Sequence, residues 1–416
     1  MSLKINNSNI SQMKINGVNI QLAKINGSIV FEINGEIITL SFNDKTISAI
    51  SNRSGSYDFY YGKDGEILED YDKIVSFDLI ADTESSYEYL NSFNIAPYNA
   101  NEIVVCKSGT TNILSSSSLP SQFLFDSSKY GSKLYSFGAL SDVHIDGDGN
   151  DQASASADFA RALQFFNGEA NLVAISGDLC VTNGYAELSL FKNLVDTNST
   201  IPVYASRGNH DTRYTLEEFE NNIGGSLYYE ITYNYDVFIF LGMIAVNYGD
   251  SCFSTEEIDW LETKLEGYKN QRVFLFFHVF MTGTCGNINS LYPYNSLNTN
   301  SSNVARFVSL MTSYKNVIYF SGHSHLDFSC QRFGANANIF SNGTTCHRVH
   351  IPSCAKPRKN DAGLTSSDTY NYNEGSEGYL VDVYENCIVL KGRDFIKGKY
   401  LPIANYLLDT TIQTVE

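Results

Sequence analysis

The spacing of apolar and polar residues changes near residue 133. From there to about residue 330, short apolar runs alternate with segments in which apolar residues recur at the helical period. We expect strands at 134–140, 171–176, 201–205, 235–246, 273–277 and 316–320. We expect helices at 158–166, 184–195 and 304–310, and one that starts after Ser254, whose Ser-x-x-Glu sequence resembles a capping box. Runs at 346–351, 378–383 and 387–391 predict further strands, so the pattern predicts an α/β layered fold.

The part of the chain before residue 126 has a different pattern. β-Branched runs at 36–40, 73–80 and 102–106 are bounded by Gly, Asn, Asp or Ser, and no long helical period lies between them. This predicts a small all-β sandwich of immunoglobulin or fibronectin type over residues 36–125. The serine-rich stretch 115–118 before Pro120 predicts the linker that leaves this domain.

The first 35 residues contain a ten-residue repeat. Lys-Ile-Asn recurs at residues 4, 14 and 24, and Ile-Asn-Gly at 33–35 is a looser copy. Alternating apolar residues around Asn-Gly predict hairpins, which cannot bury a core alone. We therefore expect residues 1–35 to be an arm that packs on its own chain, an oligomer partner, or a surface or virion partner. Such arms resemble those of phage or prophage structural proteins.

Composition limits the class of protein. The chain has 416 residues, of which 43% are hydrophobic, and no apolar run reaches the length of about 18 residues that a transmembrane helix requires. The start shows no apolar signal-peptide core. We expect a soluble protein, either cytoplasmic or associated with a virion or cell surface. The net charge of −18 argues against a nucleic-acid polymer as partner, because such binders need a basic surface.

The eight cysteines show no zinc-ribbon spacing. We expect most of them to be small buried hydrophobic residues. A disulfide between Cys346 and Cys354 remains open at this stage.

Short polar motifs follow the predicted strands between residues 134 and 325. In chain order they are Asp142-Val143-His144, Gly177-Asp178, Gly208-Asn209-His210-Asp211, His278 and Gly322-His323-Ser324-His325. Ligands of α/β sheets bind beyond the carboxyl ends of the strands, so these motifs can converge at one edge. Mixed imidazole, carboxylate and amide donors suit Mn, Fe, Zn or Co better than Ca.

This ordered series resembles the calcineurin-like metallophosphoesterase superfamily, over residues 133–330. The resemblance implies a four-layer α/β/β/α sandwich over residues 126–416 and a centre of two transition-metal ions, with Mn, Fe or Zn as candidates. It implies one metal held by Asp142, His144, Asp178 and His325. It implies a second held by Asp178, Asn209, His278 and His323, with Asp178 as the bridge. His210 would be the general acid or hydrogen-bond donor to the phosphate, and Asp211 would orient it.

A β-sandwich before the catalytic domain also resembles the layout of purple acid phosphatases. Those enzymes have a tyrosine ligand three residues after the Gly-Asp aspartate, where this chain has Val181. The first motif also carries His144, which that branch does not use. We therefore expect no tyrosinate–iron chromophore, and the Asp-x-His form is closer to the branch that contains cyclic-nucleotide phosphodiesterases.

Other signals are weaker. The acidic loop 146–151 resembles a calcium loop but lacks its Gly at the sixth position and Glu at the twelfth, which favours a solvated loop. We expect surface or structural roles for His347 and His350, and a surface ion pair for Arg213, with a substrate contact as its alternative. Asn247 and Tyr248 are candidates to line a pocket.

Two functional hypotheses follow from the sequence. The first is hydrolysis of phosphomonoesters or phosphodiesters by a metal-bridging hydroxide in a dinuclear centre. The second is a surface- or virion-associated binding protein in which the phosphoesterase domain is accessory.

Overall fold

The computed structural model describes residues 124–411 apart from 147–153, 182–184, 247–251, 287–295, 298–299, 329–337 and 359–374. Before residue 124 it describes 2–5, 8–15, 18–25, 28–33, 36–43, 46–62, 72–79, 81, 84–88, 102–108 and 113–118. Asn247, Tyr248, Cys330 and most of the acidic loop lie outside the described residues. The chain divides into two compact units, Met1–Ser127 with Leu401–Leu407, and Ser128–Tyr400 with Leu408–Glu416.

The first unit is built from antiparallel strands. They are β1 (Ser2–Ile5), β2 (Ser8–Ile15), β3 (Val18–Ile25), β4 (Ser28–Ile33), β5 (Glu36–Asn43), β6 (Thr46–Ser51), β7 (Gly55–Gly62), β8 (Asp72–Leu79), β9 (Glu84–Glu88), β10 (Glu102–Lys107) and β11 (Ile113–Ser118). One sheet has the order β1-β2-β3-β4-β5-β6-β9 and the other β11-β10-β7-β8. The prediction of a linker at 115–118 is wrong, because these serines pair with β10 as part of β11. The separate arm and sandwich stay predictions.

Two six-stranded sheets hold the remaining strands, which belong to the second unit apart from residues Leu401–Leu407 of the last strand. These strands are β12 (Lys133–Leu140), β13 (Leu172–Ser176), β14 (Val203–Ser206), β15 (Tyr228–Tyr233), β16 (Asp236–Leu241), β17 (Val273–Phe276), β18 (Val317–Ser321), β19 (Ile339–Phe340), β20 (His347–His350), β21 (Glu377–Tyr384), β22 (Cys387–Asp394) and β23 (Lys399–Asp409). The orders are β14-β13-β12-β21-β22-β23 and β15-β16-β17-β18-β20-β19. Strands β12 to β14 are parallel to one another, as are β16, β17, β18 and β20.

Helices cover these sheets. They are α1 (Ser127–Tyr130), α2 (Ala155–Glu169), α3 (Tyr185–Asn198), α4 (Leu216–Ile223), α5 (Thr255–Gly267) and α6 (Ser302–Ser313), with one 3-10 turn at His210–Arg213. Apolar residues of α2 and α3 share a core with β12 and β13, and those of α5 and α6 share another with β16 to β18. The predicted α/β class is therefore confirmed.

The central strands are buried on both faces. In β17, Val273 and Leu275 belong to the core shared with α5 and α6, whereas Phe274 and Phe276 point the other way. Phe137 of β12 meets Phe274 edge-to-face, with ring centroids 4.9 Å apart, so the two sheets pack through aromatic rings. Burial on both faces explains why these strands are continuous apolar runs.

The predicted strand at 235–246 is too long. Strand β16 is Asp236–Leu241 and is preceded by a two-residue turn in which Asn234 and Tyr235 have positive φ angles of 47° and 73°. The strand ends at Gly242, where a Cβ atom would lie 2.6 Å from the carbonyl oxygen of Leu227. The next amide, of Met243, donates to Arg207 O in place of a strand partner.

Every cysteine in the described part of the chain is free and buried, so Cys346 and Cys354 form no disulfide. None of the helices in that part has the length and apolar character that crossing a bilayer requires.

Candidate metal centre

The parallel strands bring the polar motifs to one edge of each sheet. Asp142 and His144 follow β12, Asp178 follows β13, and Asn209 follows β14. His278 follows β17 in the facing sheet, and the pair His323 and His325 follows β18. The loops are joined across strands, since Asp142 N donates to Gly177 O and Gly322 N donates to His278 O.

Most of the predicted ligand residues have an unusual backbone. The left-handed residues among them are Asp142 (φ 52°), His144 (50°), Asp178 (51°), His323 (72°) and His325 (60°). Such conformations cost about 1–3 kcal/mol each for residues other than glycine and concentrate at functional sites. The fold thus maintains strain at the positions that aim these side chains inward.

Glycines allow the ligand loops to approach one another. A Cβ atom on Gly322 would lie 1.8 Å from Ser141 Oγ and 2.4 Å from Asp142 Oδ2. A Cβ atom on Gly208 would lie 2.2 Å from Asp178 Oδ1. The Gly in each motif is therefore required by close packing.

The ligand atoms converge into overlapping groups, each with its atoms within 4.8 Å of one another. The groups are Asp142, His144 and His325; His144, Asp178 and His210; and Asp178, His278 and His323. His325 Nε2 lies 3.0 Å from both Asp142 Oδ1 and His144 Nε2. His278 Nε2 lies 3.0 Å from Asp178 Oδ2. The first and third groups each contain three of the four residues in one of the ligand sets that the resemblance implies.

Backbone carbonyls orient the histidine rings. His278 Nδ1 donates to Ser176 O at 2.7 Å, and His325 Nδ1 lies 3.3 Å from Lys356 O. With Nδ1 directed at a carbonyl, Nε2 is the nitrogen that faces the cluster, which is the usual arrangement around metal-binding histidines.

Hydrogen bonds to one oxygen of each carboxylate fix the side chains of Asp142 and Asp178. Asp142 Oδ2 accepts hydrogen bonds from Ser141 Oγ at 2.7 Å and from the backbone N–H of His323 at 3.0 Å. Asp178 Oδ1 accepts one from the backbone N–H of His210 at 2.8 Å. The other oxygen of each carboxylate lies beside a histidine: Asp178 Oδ2 faces His278 Nε2, and Asp142 Oδ1 faces His325 Nε2.

The donor set fits transition-metal ions. Among the described residues, Asn209 Oδ1 and His278 Nε2 are buried and make no hydrogen bond, an expensive arrangement unless a cation satisfies them. Burial lowers the pKa of His144 to about 4 and that of His323 to about 3, so both rings are neutral and able to coordinate. Burial also opposes charge on Asp178, but the neighbouring ring of His278 holds its pKa below the ordinary value.

Comparison with known proteins shows a family likeness for this site. The family model of the calcineurin-like phosphoesterases matches residues 135–327, which span every motif that forms the cluster. Residues 135–327 are therefore similar to the calcineurin-like phosphoesterases. No curated protein sequence matches the chain.

Solved structures show distant similarity to this chain. A purple acid phosphatase from yellow lupin (Lupinus luteus) seeds is 14% identical, with a TM-score of 0.47 over 94% of this chain and 81% of that one. Vacuolar protein sorting 29 from Cryptosporidium parvum is 12% identical, with a TM-score of 0.32 over 67% of this chain and 100% of that one.

Asp211 contacts the backbone of two ligand loops. Its buried carboxylate accepts backbone hydrogen bonds from Gly208 at 2.8 Å, Leu179 at 3.0 Å and Cys180 at 3.2 Å. The ring of His210 is held instead by Val181 O, 2.9 Å from Nδ1. The 3-10 turn directs Asp211 back to the Asp178 loop, so Asp211 joins two ligand loops, and its role toward His210 stays a prediction.

His350 is a site-supporting residue whose partners the sequence did not reveal. It is fully buried at the end of β20, and its Nε2 lies 3.2 Å from both Ser324 Oγ and Leu326 O. It therefore braces the loop that carries His323 and His325, in agreement with the predicted structural role. The sequence signal for this contact was the position of His350 at the end of a strand that runs parallel to β18.

The remaining candidates have other partners. His347 bonds to Ser341 Oγ and Asp409 O, a structural role. Arg213 is exposed and donates to Val181 O at 3.4 Å.

Proposed function

We propose that residues 126–416 form a metal-dependent phosphoester hydrolase of four-layer α/β/β/α architecture with two transition-metal ions. The observation that carries this proposal is the convergence of the ligand atoms of Asp142, His144, Asp178, His278, His323 and His325 into overlapping groups. The family match over the same residues supports it.

In this proposal the two ligand sets share Asp178. Asp142, His144 and His325 would complete one set, and Asn209, His278 and His323 the other. Bound Mn, Fe or Zn ions would supply Lewis acidity and an activated water at neutral pH. The chain itself contributes the neutral imidazoles, the fixed carboxylates and the buried surroundings that keep these groups oriented.

His210 would act beside the phosphate as hydrogen-bond donor or general acid. Its Nδ1 lies 2.9 Å from Val181 O, and its ring contacts that of His144, with centroids 5.0 Å apart. With Nδ1–H committed to the carbonyl, donation from Nε2 requires the imidazolium form. His210 would then hold the proton at Nε2 and pass it to a phosphoryl or leaving-group oxygen.

A paired assay tests the proposed reaction. Protein loaded with Mn, Fe or Zn should hydrolyse an aryl phosphomonoester, an aryl phosphodiester, or both. Asp178→Asn should abolish this turnover, whereas Arg306→Gln, on the exposed face of α6, should leave it unchanged. Absence of turnover with every metal on both substrates would contradict the proposal.

The alternative, a surface- or virion-associated binding protein, concerns the arm. The side chains of residues 1–35 lie outside the described part of the chain, so this role stays a prediction.

A further inference from the structure

The segment that follows β20, residues 351–358, contacts the backbone of two proposed metal ligands. Ser353 Oγ donates a hydrogen bond to Asp142 O at 2.9 Å, and Arg358 N donates one to His325 O at 2.7 Å. His325 Nε2 itself lies 3.0 Å from Asp142 Oδ1. Both ligands belong to one proposed set, the first metal position, which consists of Asp142, His144, Asp178 and His325. The segment therefore connects two ligands of the same metal position.

The hydroxyl of Ser353 is fully buried and uses its whole hydrogen-bonding capacity. Besides donating to Asp142 O, Ser353 Oγ accepts from Ala355 N at 3.1 Å and from Lys356 N at 2.8 Å. A hydroxyl has one donor and two acceptor lone pairs, so these three bonds saturate it. Lys356 O in turn lies 3.3 Å from His325 Nδ1. One side chain therefore fixes the carbonyl of Asp142 and also the backbone turn whose carbonyl faces the His325 ring.

Both ligands have backbone conformations that need support from their surroundings. Asp142 and His325 are left-handed, with φ angles of 52° and 60°. For residues other than glycine, such conformations persist only where the surrounding structure holds them. The Ser353 hydroxyl bonds directly to the backbone of Asp142 and reaches His325 through Lys356. Removing this hydroxyl should therefore loosen the angle at which the two ligands face each other.

The second metal position has a different support. It consists of Asp178, Asn209, His278 and His323. His278 Nδ1 donates to Ser176 O at 2.7 Å, and Ser176 lies at the end of β13, outside the segment 351–358. The saturated hydroxyl of Ser353 has no capacity left for a ligand of this set. The two positions therefore depend on separate parts of the chain for the orientation of their histidines.

We propose that Ser353 is a positioning residue whose hydroxyl sets the metal affinity of the first metal position and leaves that of the second unaffected. The inference rests on the proposed dinuclear function. It adds that the two positions are supported separately, so that one can lose its ion while the other retains it.

Titration of the full chain with Mn²⁺, followed by calorimetry, tests this role. Removing a hydrogen bond that orients a ligand typically weakens metal binding about 10- to 100-fold. Ser353→Ala should therefore weaken one of two binding events by about this factor and change the other less than about threefold. The control is Ser136→Ala, because Ser136 is also buried and its Oγ donates to Asp382 Oδ1 at 2.7 Å. This control should leave both events unchanged.

A ligand variant in each set identifies the position that Ser353→Ala affects. In an Asn209→Ala background, Ser353→Ala should weaken Mn²⁺ binding at the first position about 10- to 100-fold, because effects on separate positions add. In a His325→Ala background the first position has already lost a ligand, so Ser353→Ala should change the remaining event less than about threefold. A large loss in the His325→Ala background, equal losses in both events, or unchanged binding by Ser353→Ala would overturn the inference.

Hydrogen exchange on the unmodified chain tests the same coupling without any substitution. The amides of Ala355 and Lys356 donate to Ser353, so loading with Mn²⁺ should slow their exchange about tenfold or more, since the coupling between metal and segment is reciprocal. Unchanged exchange at these amides would contradict the role of Ser353.

Failure of the reaction and failure of the inference are distinguishable. A protein that shows these metal effects but hydrolyses neither aryl ester would overturn the proposed reaction and leave the role of Ser353 standing. An unmodified protein that binds no Mn²⁺ would overturn both.

Discussion

At the residue scale, Gly322 has no room for a side chain between the loops of the candidate metal centre. Gly322→Ala would place a methyl group 1.8 Å from Ser141 Oγ and 2.4 Å from Asp142 Oδ2. The ligand loop would have to shift, which should cost about 1–3 kcal/mol of unfolding free energy and about 100-fold in turnover. Urea unfolding and steady-state kinetics measure both effects.

A matched control exists on α2. A Cβ atom on Gly168 would meet no other atom within 4 Å, so Gly168→Ala should stabilise the protein by about 0.5–1 kcal/mol and leave turnover unchanged. If Gly322→Ala behaved like Gly168→Ala, close packing at Gly322 would not hold the ligand loop.

The backbone hydrogen bonds that the Asp211 carboxylate accepts give a second prediction. Asp211→Asn replaces one carboxylate oxygen, which accepts backbone hydrogen bonds, by an NH₂ donor facing backbone N–H groups. An unsatisfied buried donor costs about 1–3 kcal/mol, so unfolding free energy should fall by that amount. Metal binding should weaken because the Asp178 and Asn209 loops are joined by fewer hydrogen bonds. Unchanged metal affinity by calorimetry would contradict this role.

Residue types and order predicted which motifs converge, but not the contacts behind them. Each ligand motif follows an apolar run, so topology alone brings the motifs together. The partners of Asp211 and His350 depend on loop geometry, namely a 3-10 turn and a neighbouring parallel strand. Neither leaves a spacing pattern in the sequence.

At the element scale, the predicted N-cap of α5 is confirmed, since Ser254 Oγ accepts a hydrogen bond from Glu257 N at 2.9 Å. The Glu257 side chain is fully buried, and burial raises its pKa well above 4.5 despite nearby backbone N–H groups of Ser254 and Gly242. The folded protein therefore retains this proton at a pH where the unfolded chain has lost it.

This raised pKa predicts that Glu257→Gln increases the free energy of unfolding by an amount that depends on pH. Below pH 4.5 both states are protonated and Glu257 contributes no pH dependence. As pH rises above that value, the unfolded state ionises first, so the folded state of the unmodified protein loses stability until its own pKa is passed. Glu257→Gln should be more stable than the unmodified protein at pH 8, with a smaller difference at pH 5.

Chemical denaturation at the two pH values measures this difference. The exposed neighbour Glu256→Gln is the control and should show a much smaller change. A difference that does not vary with pH would contradict the assignment of a buried, proton-retaining Glu257.

Elements without an apolar run were missed. Helix α4 has a complete capping box, in which Thr215 and Glu218 exchange side-chain and backbone hydrogen bonds. The Thr-x-x-Glu spacing was a usable signal. The hairpin β15–β16 turns through Asn234 and Tyr235 with positive φ, and only the Asn favours that conformation.

At the scale of the whole molecule, the proposed site residues all fall between 142 and 325, within the second compact unit. Deleting residues 1–35 should therefore change assembly or attachment and leave kcat/KM within about twofold. Size-exclusion chromatography and kinetics on the shortened chain test this. Loss of turnover would contradict a catalytic unit that is independent of the arm.

The central claim is that the converging ligands hold two transition-metal ions. Metal analysis by mass spectrometry on protein reconstituted with Mn, Fe or Zn tests this claim most directly. We expect about two equivalents per chain, with a marked loss in Asp178→Asn, because Asp178 is shared by both proposed ligand sets. A purified, folded protein that binds no metal, or binds equally after Asp178→Asn, would contradict the account.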